Sequence, residues 1–310
     1  MHIIISGGLG HIGSKLTRFL LNKTLKVTCI DNLSTQRISS LKGVIQNKNF
    51  NFFEIDIAKE PNKALDVLKK LDCNSFIHLG AITNAEASHD NPKQLFENNL
   101  SATKNTIEIC SNLNLQLLFP SSTSVYGSAE DNVYEDDESF INPQSPYAEC
   151  KVKEEELILN SKISNSAILR LGTIFGTSPG MRFHTAVNKF CWQAIMKMPI
   201  TVWKTALHQH RPYLDINDAC KAFFFFLKKE EQYGSIFNVN TENYTVSEIL
   251  ESITKYADNL NIEFVDSKIM NQLSYLVLND KIKEIGFKFE GSLDRGISDT
   301  FEWFKNEKYF

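Results

Sequence analysis

Short apolar runs alternate with stretches of helical periodicity through the first half of the chain. Runs that are apolar on both faces are typical of strands in a parallel sheet that is covered on both sides. The predicted strands are residues 2–6, 26–31, 51–56, 75–79, 116–120 and 166–171, and the predicted helices are 14–21, 64–71, 94–113 and 145–160. This alternation predicts an α/β domain built on a doubly wound parallel sheet.

The pattern changes after residue 171. A helix is predicted at about 184–197, within a segment, 172–211, whose other connections look irregular. Further predicted elements are helices at 218–228, 246–257, 279–285 and 292–306 and strands at 235–239 and 263–265. No linker separates the halves, so we predict a smaller α/β substrate domain (172–211 and 241–310) interleaved with the sheet domain (1–171 and 212–240).

Charge and composition exclude several classes of partner. The 310 residues carry a formal net charge of -4 with a pI near 6.0, and their basic residues are scattered, so we expect no nucleic acid partner. The longest apolar patch, 222–227, is too short for a bilayer, and residues 1–6 lack the pattern of a signal peptide. Six dispersed cysteines without a CxxC pair predict reduced thiols and no metal site. A cytoplasmic protein without a membrane partner is therefore expected.

A glycine-rich turn follows the first strand. Gly7 permits a tight turn, Gly10 allows backbone to approach a pyrophosphate, and Gly13 lets the next helix pack on the strand. His11 and Ile12 open that helix, whose free N–H groups bind anions. A turn that merely joins strand to helix is the alternative, but the strand–loop–helix context favours dinucleotide binding.

The second predicted strand ends in an acidic residue, Asp31, followed by Asn32. A carboxylate there accepts hydrogen bonds from both ribose hydroxyls and repels a 2′-phosphate. This position favours NAD over NADP, the alternative being an ordinary turn residue at a strand end.

A tyrosine and a lysine share one face of a predicted helix. Ser145 suits its N-cap and Pro146 its first position. Tyr147 and Lys151 are then four residues apart, and the cation should lower the pKa of the phenol from its usual value near 10. A tyrosine tuned in this way is a general base for neutral pH. Alone, the spacing is usual for a surface pair; the glycine loop upstream favours catalysis.

The fifth predicted strand leads into hydroxyl-bearing residues at 121–124. A hydroxyl at the carboxyl end of a strand lies where ligands bind, and it can contact the reacting substrate oxygen together with Tyr147. A polar turn rich in serine is the alternative.

These motifs together resemble a known family. GGLGHIG at 7–13, SSTSVYG at 121–127 and YAECK at 147–151 occur in the order of the extended short-chain dehydrogenase/reductases. Within these, the chain looks most like the nucleotide-sugar epimerase/dehydratase group typified by UDP-galactose 4-epimerase, from residue 1 to about 304. The resemblance implies NAD as cofactor, a nucleotide-diphosphate sugar as substrate, and a homodimer formed through the helices at 94–113 and 145–160.

The resemblance also implies roles for individual residues. Asp56 and Ile57 would meet the adenine, and Asn98 would hold the cofactor. Ser122 would be the catalytic hydroxyl, and Arg211 would grip the substrate diphosphate. Residues implied to line the cofactor are Leu79, Gly80 and Ala81.

Departures from the family pattern bear on the reaction. Thr173 stands in place of an expected asparagine, and Ser274 in place of a second arginine. Family 4,6-dehydratases carry an acidic pair after the catalytic hydroxyl, where this chain has Thr123 and Ser124. Elimination of water would lack its proton carriers, which argues against a dehydratase.

The segment 176–188 is less typical of UDP-galactose epimerases. Its Pro-x-Met-Arg sequence resembles a subgroup that includes nucleotide-heptose 4-dehydrogenases, and it implies that Arg182 and Asn188 bind substrate. Arg182 would contact a phosphate or the base. His184 is either an extra acid or base or simply a residue at a helix start.

The leading functional hypothesis is an NAD-dependent nucleotide-sugar 4-epimerase. Tyr147 takes the proton of the C4 hydroxyl while hydride moves to NAD, and hydride returns to the other face of the 4-keto sugar. The alternative is net C4 oxidation or reduction of an NDP-sugar or NDP-heptose. A non-catalytic cofactor-binding regulator is disfavoured because the chain keeps both Tyr147 and Lys151.

Overall fold

The computed structural model describes residues 1–83, 87–127, 132–161, 163, 165–229, 235–266 and 275–305. The strands are β1 (His2–Ser6), β2 (Lys26–Asp31), β3 (Phe50–Glu54), β4 (Ser75–His78), β5 (Gln116–Ser122), β6 (Asn132–Val133), β7 (Ser166–Leu171), β8 (Thr173–Phe175), β9 (Ile200–Trp203), β10 (Arg211–Asp215), β11 (Ser235–Val239), β12 (Glu242–Tyr244), β13 (Ile262–Val265) and β14 (Leu276–Val277). The α-helices are α1 (His11–Asn22), α2 (Pro61–Leu68), α3 (Pro92–Leu113), α4 (Pro146–Leu159), α5 (Ala186–Ile195), α6 (Ile216–Leu227), α7 (Val246–Thr254), α8 (Asp280–Glu284) and α9 (Leu293–Lys305).

A parallel sheet of order β11-β7-β5-β4-β1-β2-β3 forms the centre of the protein. Helices cover both of its faces. In β1, Ile3 and Ile5 join the core under α1 and α6, whereas Ile4 joins the core under α2, α3 and α4. Each of these isoleucines is fully buried, which stabilises the fold by about 1.5–3 kcal/mol per side chain. The doubly wound α/β fold predicted from the alternating pattern is confirmed.

The strand order reverses at β1, which lies between β2 and β4. At this point successive helices lie on opposite faces of the sheet, and a crevice opens at the carboxyl ends of the strands. Ser6 and His78 pair across β1 and β4 at that edge, and Ser122 ends β5 nearby in the sheet. The glycine loop, the 121–124 segment and the start of α4 all border this crevice.

A second core lies beyond the crevice. It packs α5, α7 and α9 around residues such as Phe175, Tyr213 and Ile249. Strands β8, β10 and β12 form one small sheet and β9 pairs with β13 in another. The prediction that 172–211 holds only one helix and irregular connections is therefore wrong. Strands of three and four residues, β8 and β9, are too short to give a clear alternating pattern.

The two cores meet along β10. Tyr213 packs in the second core, whereas its neighbour Leu214 packs in the first. Ile282 and Phe287, from the distal part of the chain, also pack in the first core. The domain boundaries at 171, 212 and 240 stay predictions.

The ends of some elements differ from prediction by a few residues, because local helix-start and turn residues decide where an element begins or ends. The second helix was expected at 64–71 and runs from Pro61 to Leu68, because proline fits the first helical turn. The third strand was expected at 51–56 and ends at Glu54, with Asp56 already in a turn.

Candidate active site

A cavity of about 480 Å³ lies between the carboxyl edge of the sheet and the second core. Most residues predicted for the site line it: Gly7, Gly10, His11, Ile12, Gly13, Leu79, Ala81, Ser122, Tyr147, Lys151, Thr173, Arg182 and Arg211. His184 lines it as well. The segments that resemble a cofactor loop, a catalytic helix and a substrate wall thus face one shared cavity.

The glycine loop is packed too closely to accept side chains. A Cβ on Gly13 would lie 2.3 Å from the carbonyl oxygen of Gly7, and one on Gly7 would lie 2.7 Å from the backbone of Leu79 and Gly80. Helix α1 begins after Gly10 without a side-chain cap and without an acidic residue in its first turn. Its N–H groups therefore face the cavity as an anion site that suits a pyrophosphate.

The segment 176–184 covers the glycine loop. The backbone N–H of Gly180 donates to Ser14 Oγ at 3.0 Å, and Arg37 donates to the Gly180 carbonyl at 2.5 Å. His11 Nδ1 lies 2.7 Å from Ser178 Oγ. A Cβ on Gly180 would come within 2.4 Å of the Leu9 carbonyl oxygen, so only glycine allows this approach. The substrate side of the cavity is thereby fixed directly against the loop predicted to hold the cofactor.

Asp31 lies beside the glycine loop, outside the residues that line the main cavity. Its carboxylate accepts from the backbone N–H groups of Leu9 at 3.1 Å and Leu33 at 3.0 Å. Asn32 donates to Asp56 Oδ2 at 3.2 Å, and both border a second, polar pocket at the ends of β2 and β3. Asp31, Asn32 and Asp56 thus lie at the carboxyl ends of the adjacent strands β2 and β3, as a ribose and adenine site requires.

Tyr147 and Lys151 lie on the cavity-facing side of α4. The Ser145 side chain caps the helix by accepting from Ala148 N at 3.2 Å, as its sequence predicts. Lys151 is 3% exposed, donates to the Pro120 carbonyl at 3.1 Å, and lies 6.0 Å from the centroid of the Tyr147 ring. The lysine is therefore held in a fixed position between the end of β5 and the tyrosine.

The pKa of Tyr147 is raised above its usual value, contrary to the sequence-based prediction. Burial of the phenol is the largest cause, and Lys151 lowers the pKa by less. A hydrogen bond with Ser122 and the charge of Arg182 also lower it. The direction of the lysine contribution agrees with the prediction, but the prediction neglected the low polarity of the surrounding wall.

Ser122 lies at the end of β5, facing Tyr147. Its Oγ accepts hydrogen bonds from the Ser124 hydroxyl at 2.9 Å and from the Ser124 N–H at 3.2 Å. Thr123 donates instead to the Leu171 carbonyl at 3.3 Å. Ser122, Tyr147 and Lys151 are thus brought together, with hydroxyls and no carboxylates immediately after Ser122.

A tyrosine and an arginine form the opposite wall. The guanidinium of Arg211 lies 5.1 Å from the centroid of the Tyr275 ring, and Tyr275 donates to the Thr123 carbonyl at 3.4 Å. Thr173, at the start of β8, and Trp203, at the end of β9, line the same part of the cavity. A planar cation among aromatic rings suits a diphosphate joined to a base.

Arg182 and His184 face the cavity from the 176–184 segment. Arg182 donates a hydrogen bond to Thr83. Desolvation, followed by the charges of Arg182 and Arg37, lowers the pKa of His184 to about 4, so its imidazole is neutral near pH 7. His184 therefore lies at the cavity rather than only at a helix start, although its chemical role stays a hypothesis.

Some predicted site residues do not line the cavity. Asn188 accepts from Gly176 N at 3.1 Å and donates to the Arg182 carbonyl at 3.2 Å, so it fixes the 176–184 segment from behind. Asn98 donates to Asn99 at 3.0 Å, and Ile57 packs in the core under α2, α3 and α4. Gly80 donates its N–H to Ser6 Oγ at 3.2 Å. Ser274 lies outside the described residues.

Two buried polar residues near the site were not predicted. His78 lines the cavity, and its Nδ1 lies 2.8 Å from Ser6 Oγ, while its Nε2 has no hydrogen-bond partner among the described residues. Glu154 is fully buried with a carboxylate oxygen 3.1 Å from Lys151 Nζ. Its position three residues after Lys151 was a usable signal, because residues at that spacing share a helix face.

Neither a cluster of metal ligands nor a helix able to span a membrane occurs among the residues that the structure describes. Within the described ranges, no group of three His, Cys, Asp or Glu side chains is arranged to hold a metal ion. No helix in the described part of the chain has both the length and the apolar character needed to cross a bilayer.

Comparison with known proteins gives one family. A model described as the NAD dependent epimerase/dehydratase family matches residues 3–240. A dTDP-D-glucose 4,6-dehydratase of Dictyostelium discoideum is 26% identical over 365 aligned residues, covering 99% of this chain and 82% of the relative. A putative UDP-glucose 4-epimerase of Methanocaldococcus jannaschii is 28% identical over 313 residues, covering 98% of each chain.

A solved structure shares the fold along the full chain. The UDP-glucose 4-epimerase of Thermus thermophilus, in complex with NAD, matches with a TM-score of 0.84 at 23% identity, covering 99% of this chain and 100% of that one. At this identity the likeness shows the fold alone. The relatives include both epimerases and dehydratases, so the site itself must distinguish the reactions.

Proposed function

The chain belongs to the NAD-dependent epimerase/dehydratase family, and we propose that it is a nucleotide-sugar 4-epimerase that works through a transient 4-keto sugar. The observation that carries the proposal is the convergence of Tyr147, Lys151 and Ser122 beside the glycine loop in a single cavity. A homodimer formed through α3 and α4 remains part of the proposal on the strength of the resemblance, and a cytoplasmic location on that of the dispersed cysteines.

The residues around the loop fit the NAD that the family uses. The uncapped start of α1 and the close packing at Gly7 and Gly13 leave room for backbone to contact a pyrophosphate. We assign the adenosine ribose to Asp31 and Asn32, the adenine to Asp56 and Ile57, and the nicotinamide ribose to Lys151. When bound, NAD supplies reversible hydride acceptance.

The chain's own groups handle the proton. In the direction of oxidation Tyr147 acts as its phenolate, which the Lys151 charge favours against the effect of burial, and takes the proton from the C4 hydroxyl; in the reverse direction it returns that proton. Ser122 donates a hydrogen bond to the same sugar oxygen and orients it. Lys151 stabilises the phenolate electrostatically, from a position that the Pro120 carbonyl fixes.

The opposite wall would bind the nucleotide. We assign the diphosphate to Arg211 and Arg182, which approach the cavity from two different segments. Thr173 would contact the sugar or a phosphate oxygen. Asn188, predicted to bind substrate, also supports Arg182 through the backbone of the 176–184 segment.

Dehydration is disfavoured although some relatives are dehydratases. Loss of water across C5 and C6 needs an acid and a base next to the catalytic hydroxyl, and Thr123 and Ser124 occupy those positions. Their hydroxyls donate to Leu171 O and Ser122 Oγ, so neither side chain is a ready proton carrier.

The second candidate function is net oxidation or reduction at C4 of an NDP-sugar or NDP-heptose. The 176–184 segment favours it, because its sequence resembles that of nucleotide-heptose 4-dehydrogenases and because Arg182 and His184 of this segment line the cavity. The same Tyr147 and Lys151 pair would serve either reaction. A regulator without activity is disfavoured because the chain keeps Tyr147, Lys151 and Ser122 together in the cavity.

An assay with candidate sugars separates these functions. UDP-hexoses, dTDP-glucose and a GDP-heptose are first screened for thermal stabilisation of the protein in the presence of NAD, since a ligand that binds only the native state raises the melting temperature. The selected sugar is then incubated with the protein while absorbance at 340 nm and the sugar products are recorded. We expect the C4 epimer with no net NADH; stoichiometric NADH without an epimer would establish the second candidate instead.

A further inference from the structure

A buried carboxylate lies directly behind the predicted catalytic pair. Tyr147, Lys151 and Glu154 occupy positions i, i+4 and i+7 of α4, so they lie along one face of the helix. Glu154 is fully buried, and its Oε2 lies 3.1 Å from Lys151 Nζ. Because burying a carboxylate costs free energy unless it is paired, the buried position of Glu154 points to a role for its contact with Lys151.

The surroundings hold Glu154 in place. Thr103, on α3, donates to Glu154 Oε1 at 2.6 Å. The other oxygen, Oε2, lies 3.1 Å from Lys151 Nζ and makes no further hydrogen bond among the described residues. One oxygen is therefore used to anchor the carboxylate, and the other directs its charge at the lysine.

The charge acts on both members of the pair. Burial alone would lower the pKa of Lys151, but Glu154 and then Tyr147 raise it above its usual value, which keeps the ammonium charged. For Tyr147, burial raises the pKa most, Lys151 lowers it, and Glu154 raises it again. The carboxylate thus maintains the cation and offsets part of its effect on the phenol.

We propose that Glu154 is a positioning residue that holds the Lys151 ammonium beside Tyr147. Its negative charge also makes loss of a proton from the Tyr147–Lys151 pair less favourable. This inference rests on the proposed function, because it assigns Glu154 a role in the proton transfer of that site. Its effect reaches the sugar only through Lys151 and Tyr147.

Three titratable groups close to the pair keep a constant charge near neutral pH. Burial followed by the Lys151 charge lowers the pKa of His78, at the end of β4, to about 3. Burial followed by Glu154 raises the pKa of Cys150, on α4, to about 12. Arg182 adds a constant positive charge from the 176–184 segment. A shift caused by Glu154→Gln therefore does not arise from these three groups.

The test is Glu154→Gln, which keeps the shape and an acceptor for Thr103 but removes the charge. Loss of a proton from the Tyr147–Lys151 pair then no longer leaves negative charge next to a buried carboxylate, so proton loss becomes more favourable. At about 10 Å along the helix, we expect the acid limb of the kcat/KM profile to move about one pH unit lower. Difference titration of tyrosinate absorbance, each protein against its own Tyr147→Phe counterpart, should show the same shift without any substrate.

Matched variants separate this role from a structural one. Glu156→Gln removes the same charge from an exposed position of α4 and should leave the limb in place. Glu154→Asp keeps the charge and should restore a profile close to that of the unchanged protein. If Glu154→Gln does not fold, Glu154→Met removes the charge with an apolar side chain and repeats the measurement.

Each result decides the inference. A folded Glu154→Gln protein whose tyrosinate titration and acid limb are unmoved, or moved to higher pH, overturns it. Failure of the proposed function is recognised separately, since the unchanged protein would then turn over no nucleotide sugar while the tyrosinate titration still reports on Glu154.

Discussion

Tyr147→Phe should lower kcat for the preferred nucleotide sugar by about three orders of magnitude. The change removes a titratable hydroxyl that contacts Ser122 at the cavity wall. General acid–base groups typically contribute factors of about 10²–10⁴, and no carboxylate follows Ser122 to take over the proton. The rate is measured by sugar product formation at saturating substrate.

Binding should be nearly unaffected in the same variant, because the phenyl ring still fills the wall. NAD affinity, measured by fluorescence titration, should stay within a few-fold. Tyr134→Phe serves as the control, since Tyr134 is 43% exposed and packs against Phe140. A Tyr147→Phe protein that keeps kcat within a factor of ten of the unchanged protein would remove Tyr147 from the mechanism.

Arg170→Met should have the largest effect on stability, lowering the free energy of unfolding by about 3–5 kcal/mol. Arg170 makes two hydrogen bonds to Glu155, at 3.0 and 2.7 Å, and both side chains are about 4% exposed. Arg170 also donates to Tyr126 at 3.0 Å, and Ser121 donates to Glu155. Removing the guanidinium leaves the Glu155 carboxylate buried without its positive partner, next to the end of β5 that carries Ser122.

Urea unfolding measures this effect, with two comparisons. Adding Glu155→Met to Arg170→Met should recover part of the loss, because the stranded charge is then removed as well. Lys255→Met breaks an exposed pair with Asp294, 2.9 Å apart, and should leave the midpoint close to that of the unchanged protein. Equal midpoints for Arg170→Met and Lys255→Met would show that the buried network is not a main source of stability.

The sheet and the cofactor side of the site were predictable because their signals are local. A buried parallel strand needs a continuous apolar run, and a glycine loop needs glycine at fixed spacing, as at Gly7 and Gly13. Tyr147 and Lys151 were found for the same reason, since helix periodicity places them on one face.

The substrate side was less predictable because its geometry depends on contacts between distant segments. Asn188 is predicted to bind substrate, and the sequence does not indicate that it also fixes the segment that carries Arg182. The pKa of Tyr147 was predicted in the wrong direction, because the sequence indicates the neighbouring lysine but not how far the wall excludes water. Glu154 was missed because a glutamate in a charged helix usually faces solvent. Its spacing from Lys151 places the two on one helix face, and its contact with Thr103 shows that this face is buried.

The fate of a label at C4 tests the central claim most directly. The sugar nucleotide selected by the stabilisation screen is prepared with deuterium at C4 and converted by the protein in the presence of unlabelled NAD. A 4-epimerase returns the same hydride to the carbon that lost it, so we predict that NMR finds the deuterium retained at C4 of the epimer, with no net NADH. An epimer without deuterium at C4, or a 4-keto product with stoichiometric reduced cofactor, would contradict the account.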